Sequence, residues 1–273
     1  MTSERDILNA VLRHDFPAFV QRCFQTLNPG QTLHMNWHIR ALCFQLLACA
    51  LGATLRLAVC MPPRSLKTIC ATKALPAYLI AIDPSLEIIC ASYSHDLAIA
   101  HHADFRRIIE ASWYREQFPH VRASSGQSGG TNTQTEFRTS ANGGRIATSV
   151  GGTLTGRGAD IIIIDDPSKT DAAMSKAERD TVNAWFSNTV VTRLNNPSSG
   201  RIMIVMQRIH EDDLVGHVTD RETDRWTILN ILAIAQKDEA CQLSENPNDL
   251  HHRREGDVID PRHQDRVSLE GLR

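Results

Sequence analysis

Short apolar runs recur along this chain, each cut off by proline, glycine or a polar cluster. Leu57, Ala58, Val59 and Cys60 form one such run, ended by Pro62-Pro63, where neither a strand nor a helix interior can continue. Glu87 to Ser92 (EIICAS), Ala159 to Asp166 (ADIIIIDD), Arg201 to Gln207 (RIMIVMQ) and Trp226 to Ala233 read the same way. Four consecutive isoleucines leave no polar face, so that strand is buried on both sides, as in the middle of a parallel sheet. Glu136 to Thr139 and Arg145 to Val150 read instead as a hairpin around Asn142-Gly143-Gly144, where positive φ is needed.

Between these runs the period becomes helical. Residues 6–27 carry a stripe of Ile7, Val11, Leu12, Phe16, Phe19, Val20 and Phe24, with Pro17 as a kink or boundary. Further helices are expected over 39–51, from Lys67-Thr68 through Ile80, from a Ser94 cap to Glu110, from Ser175 past Trp185, and after Glu211-Asp212-Asp213. Strands alternating with helices predict an α/β fold, a mostly parallel central sheet flanked by helices. After Gln236 the composition turns polar, which divides the chain into a main domain over 1–235 and a linker or lid over 236–273.

Composition adds little to this picture. The 273 residues are 42% hydrophobic and 22% charged, the balance of a globular protein. A net charge of −2 gives no global pull toward nucleic acid, although a local basic face would not show in that sum. The seven cysteines stand mostly inside apolar runs with no C-x-x-C spacing, so they read as buried thiols in a reducing cytoplasm. Ala41 to Leu55 is too short to span a bilayer. His34 and His38 are four apart, but no H-E-x-x-H glutamate and no third ligand accompany them.

The chemistry gathers at the strand ends. Strand, tight loop, Lys67-Thr68 and helix is the layout that phosphate binding asks for: N–H groups at a helix start face the anion, a lysine adds charge and a threonine hydroxyl ligates Mg²⁺. The spacing from Met61 to Thr68 fits G-x-x-x-x-G-K-[ST], with Pro62, Pro63, Arg64, Ser65 and Leu66 forming the cradle. Met61 and Leu66 stand where both glycines should be, and a Cβ at 66 works against positive φ and close phosphate approach. The alternative is an ordinary strand-to-helix turn.

Asp165 is placed like a carboxylate that holds Mg²⁺, and Asp166 stands where a water-polarising acid is needed, one methylene shorter than the usual glutamate. Arg64 in the loop would neutralise γ-phosphate charge in cis; Arg157, between glycines, would project toward a neighbouring subunit. The alternative for each is a surface cation or a carboxylate partner. Gln207 is suited to sense the γ-phosphate and pass its loss to Arg208, or is an ordinary strand-end amide.

In this order, MPPRSLKT, GGTLTGRGADIIIIDDP and MQRIHEDDLVGHV resemble the large-subunit terminases of tailed bacteriophages. The similarity extends over roughly residues 30 to 273, including GDVIDPRHQDRVSLEGLR. The resemblance implies a P-loop NTPase of ASCE/RecA-like type, with MPPRSLKT as Walker A and IIIIDD as Walker B. It implies ATP and Mg²⁺ as cofactors, and a motor that drives double-stranded viral DNA into a prohead through a portal protein. The motor would work as a homo-oligomeric ring, usually taken as five subunits, beside a small terminase subunit in the cytoplasm of the bacterial host, with no membrane role. The family's adenine pocket would fall near Asn36 to Arg40. Members normally add a C-terminal nuclease domain; no spaced acidic set follows residue 235, so nuclease activity is not expected in this chain. The alternative is a prophage remnant that binds nucleotide weakly or without turnover and acts only in assembly. A helicase-like ATPase, which would need a second RecA-like domain, is a third reading. Arg106, Arg107, Arg138 and Arg145 are candidate DNA contacts, with solvated surface as the alternative for each.

Overall fold

The computed structural model describes residues 4–124, 132–154, 156–222 and 225–262. Residues 1–3, 125–131, 155, 223–224 and 263–273 lie outside the described residues, among them the Ser- and Gly-rich part of the stretch from Pro119 to Asn132.

Seven strands form the central sheet: β1 (Arg56–Cys60), β2 (Glu87–Ser92), β3 (Glu136–Arg138), β4 (Gly144–Ser149), β5 (Ile161–Asp165), β6 (Arg201–Met206) and β7 (Thr227–Asn230). Their order is β3-β4-β2-β5-β6-β1-β7. All neighbours run parallel except the β3–β4 hairpin, whose turn places Asn142 at φ 70. The mostly parallel α/β fold expected from the alternation is therefore the observed one. The last strand is shorter than the run from Trp226 suggested: Ile231 N–H makes its final ladder bond to Cys60 O, where β1 itself ends.

Nine α-helices surround the sheet among the described residues: α1 (Glu4–His14), α2 (Phe16–Leu27), α3 (Trp37–Ala50), α4 (Leu75–Ile82), α5 (His95–Glu110), α6 (Ser112–Gln117), α7 (Thr170–Ala173), α8 (Lys176–Trp185) and α9 (Leu214–Glu222). Pro17 marks a boundary: it lies in the first turn of α2, where the Asp15 carboxylate accepts the Ala18 N–H. Ser94 caps α5 and Asp213 caps α9, each accepting a first-turn N–H.

The runs without polar positions are buried on both faces. Leu57 and Val59 of β1 and Ile161 and Ile163 of β5 pack into one core with residues of α2, α3, α4 and α5. Ala58, Cys60, Ile162 and Ile164 pack into the other, with residues of α8 and α9. All seven cysteines are buried free thiols. The segment between Lys67 and α4 is π-helical over Ile69–Ala74. Pro76 has no N–H for the carbonyl of Thr72 and its ring crowds that position, so the ladder ahead of it widens.

The expected linker after 235 carries a hairpin in its described part, β8 (Glu239–Gln242) paired with β9 (Leu250–Arg253). His251 of β9 stacks on Trp37 of α3 at 4.4 Å and 12°. The buried Arg253 lies over the same indole and pairs with Glu239 at 2.7 Å. Cys241 and Ile259 join the first core.

Candidate functional site

The sheet order determines what meets at its carboxyl edge. β6 lies between β1 and β5, so the loop leaving β1 and the acids ending β5 flank one strand. Ligands of open α/β sheets bind at that edge.

The loop from Met61 to Thr68 closes on itself: Ser65 Oγ donates to Pro62 O at 2.8 Å. Arg64 and Leu66 both adopt left-handed backbone, φ 60 and φ 63. Leucine therefore takes the conformation its Cβ disfavours, and its side chain packs against the first core. The N–H groups of Arg64, Ser65 and Leu66 have no acceptor among the described residues. Left-handed residues at alternate positions turn such N–H groups into a concavity suited to an anion. Asp166 also has positive φ, at 43. Among the described residues, three of the four non-glycine residues with positive φ thus lie at this site, each a local cost of about 1–3 kcal/mol that the surrounding fold must offset.

Lys67 is 7% exposed and its Nζ stands 3.2 Å from Asp166 Oδ2. The other oxygen of Asp166 accepts the backbone N–H of Gln207 at 3.1 Å. So Lys67, Asp166 and Gln207 meet, although Gln207 takes part through its backbone. Asp165 is 1% exposed and neither of its oxygens has a hydrogen-bond partner. Burial first and Asp166 second push its carboxyl up to about 7, while the nearby Thr68 hydroxyl, Lys67 and Lys73 pull it down. An orphaned buried carboxylate beside a threonine hydroxyl suits a small hard cation that keeps positions for water and phosphate, which describes Mg²⁺. Thr68 and Asp165 are the residues that would hold it.

A cavity of about 280 Å³ opens from the loop and is lined by Pro62 to Leu66, Leu33, His34, His38, Ile39 and Asp260 among others. Within the expected adenine segment, only His38 and Ile39 reach it. Asn36 instead caps α3 and, with the Trp37 indole N–H, donates to Ile259 O. Arg40 pairs with Asp249. Gln31 to His34 line the cavity from an irregular stretch whose sequence carries no periodic signal.

Arg157 lies elsewhere. It forms a bidentate pair with Glu136 on β3, 2.9 Å at both contacts. That strand is five places from β1, about 24 Å at the usual strand spacing. The arginines proposed as DNA contacts are likewise engaged: Arg106 with Glu110, Arg107 with Asp104, Arg138 with Glu136, and Arg145 buried against His102 and Phe105. Among the described residues no helix is long and apolar enough to cross a membrane.

No family model matches the chain, and no curated protein sequence matches it. Solved structures do match. The HK97 bacteriophage large terminase superposes with a TM-score of 0.54 at 17% identity, over 83% of this chain and 45% of that one. The Thermus phage P74-26 large terminase ATPase domain matches at 0.42 and 16%, over 68% of each chain. A hypothetical ATP-dependent RNA helicase from Sulfolobus tokodaii matches at 0.44 and 14%, over 78% of this chain and 56% of that one. The chain spans 45% of the length of the HK97 protein. Sheet order, loop and the HK97 superposition together give the chain a RecA-like P-loop NTPase fold, and in that fold it resembles a phage large terminase.

Proposed function

We propose that this chain is the ATPase motor module of a phage terminase large subunit, hydrolysing ATP to move double-stranded viral DNA into a prohead. The observation that carries the reading is Asp165: a buried carboxylate whose oxygens make no hydrogen bond within 3.5 Å, beside Thr68 and the Lys67–Asp166 pair. Mg²⁺, when bound, supplies charge neutralisation on the transferred phosphate. The chain's own groups do the rest. The N–H groups of the loop and Lys67 bind the phosphates, and Asp166 orients the attacking water, held by the Gln207 N–H. Arg64 offers its charge in cis, and Arg157 offers its own to a neighbouring subunit of a ring. Portal protein and a small terminase subunit are the partners this reading entails, in the cytoplasm of a bacterial host.

The test is steady-state ATP hydrolysis over a range of protein concentrations, with and without DNA. Lys67→Ala is expected to lower turnover by roughly 10²–10³, the scale for removing one charge-stabilising donor. Parent-like turnover in that variant removes the assigned site. The Lys67–Asp166 contact favours a second reading, a nucleotide-binding prophage remnant acting only in assembly, because it occupies both groups at once. Tight binding of a labelled ATP analogue with no phosphate release, at high protein and with DNA, selects that reading.

A further inference from the structure

Behind Asp165 lies a second polar layer that the proposed hydrolysis leaves unexplained. Ser92 ends β2 directly across the ladder from Asp165. His101 of α5, 8% exposed, brings Nδ1 to 3.3 Å from Ser92 Oγ and 3.9 Å from Asp165 Oδ2. One turn on, Asp104 pairs with Lys73 at 2.7 Å, which ties α5 to the helix leaving the phosphate loop. The imidazole is thus fixed between the strand that bears the acid and the helix that follows the loop.

We propose that His101 is a positioning residue for the metal-holding carboxylate of Asp165: its single Nδ1–H, for which Ser92 Oγ is the second acceptor, takes one carboxylate oxygen and leaves the other free for the cation. This rests on the nucleotide site proposed above. The gap between Nδ1 and Oδ2 is about 1 Å longer than a hydrogen bond, so a small rotation of Asp165 on loading closes it. A ligating carboxylate needs such a partner because an unheld one rotates between binding modes. Outer partners of this kind are typically worth roughly 10- to 100-fold in metal affinity.

The experiment measures mant-ATP affinity in EDTA and across a Mg²⁺ titration, for the parent, His101→Ala, His101→Asn, Ser92→Ala and Lys67→Ala, with the melting temperature of each. The expected result is unchanged affinity in EDTA for the His101 and Ser92 variants. The Mg²⁺ concentration for half-effect is expected to rise roughly tenfold or more in His101→Ala. His101→Asn, whose amide N–H overlies Nδ1, is expected to return to within about threefold of the parent. A parent-like Mg²⁺ response in His101→Ala overturns the proposal while leaving the nucleotide site intact. So does equal impairment of the Ala and Asn variants with a matching loss of melting temperature, which marks a packing role. Failure of the parent to bind mant-ATP in either condition, or Lys67→Ala binding as the parent does, overturns the nucleotide site and the proposal with it.

Discussion

The backbone N–H of Gln207 donates to Asp166 Oδ1 at 3.1 Å while Lys67 holds the other oxygen of the same carboxylate at 3.2 Å. Both hands of Asp166 are therefore taken, one by a main-chain group that cannot leave and one by a side chain that can. On the proposed reading, a phosphate arriving at Lys67 would compete with Asp166 for the ammonium and release that carboxylate oxygen.

Asp166→Asn separates the two roles. Turnover is expected to fall by roughly 10²–10⁴, the scale for losing a proton-handling group. Stabilisation by MgATP in a thermal shift assay is expected to exceed the parent's, because Lys67 no longer leaves a carboxylate to bind phosphate. A parent-like rate would show that Asp166 plays no part in the chemistry.

Leu66 offers a test of backbone strain that packing cannot confuse. Leu66→Gly and Leu66→Ala remove nearly the same contacts with the core, yet only glycine is at ease at φ 63. The glycine variant is expected to be more stable than the alanine one by about 1–2 kcal/mol in denaturant unfolding. Equal stabilities would mean that the loop relaxes out of the left-handed region.

His102 is fully buried and accepts a hydrogen bond from Arg145 at 2.8 Å, with its ring lowered from 6.5 to about 3 by burial and then by the Arg145 charge. The unfolded chain binds a proton there below 6.5 and the folded chain does not until about 3. Stability linked to this ring is thus present above 6.5 and is lost as pH falls toward 3. His102→Gln keeps an acceptor for Arg145 but does not titrate. Its melting temperature should decline less steeply than the parent's between pH 6.5 and 4. Identical slopes would exclude His102 as a source of acid sensitivity.

Arg157 is paired to Glu136 on the edge strand β3, whereas Lys67 follows β1, five strands away. If the guanidinium acts across a subunit boundary, Arg157→Ala should lose roughly a thousandfold or more in turnover. Mixing it with Lys67→Ala should restore activity that neither has alone, since some interfaces then carry an intact lysine facing an intact arginine. No recovery on mixing would confine Arg157 to its pair with Glu136.

Local pattern carried most of the fold. Four isoleucines with no polar face announce a central parallel strand, and Ser94 and Pro17 mark helix starts by chemistry that acts within one turn. The loop was legible through Lys67, Thr68 and the double proline, but its missing glycines concealed a backbone that takes up the left-handed shape regardless. Contacts between distant residues were not legible. Nothing near Arg157 announces Glu136, nothing near Trp37 announces His251, and Arg145 reads as surface only until α5 is laid over it. The Ser92–His101 pair depends on β2 and β5 being neighbours, which the order of strands along the chain does not disclose.

The carbonyl of Ile259 is gripped by two side chains at the start of α3, while Ile259 and Asp260 also wall the cavity beside Pro62 to Leu66. Early and late parts of the chain are thereby latched over a single chamber. A pull on the late segment would be felt there before it reached any strand, and swelling of that chamber around an occupant would push on the latch in return.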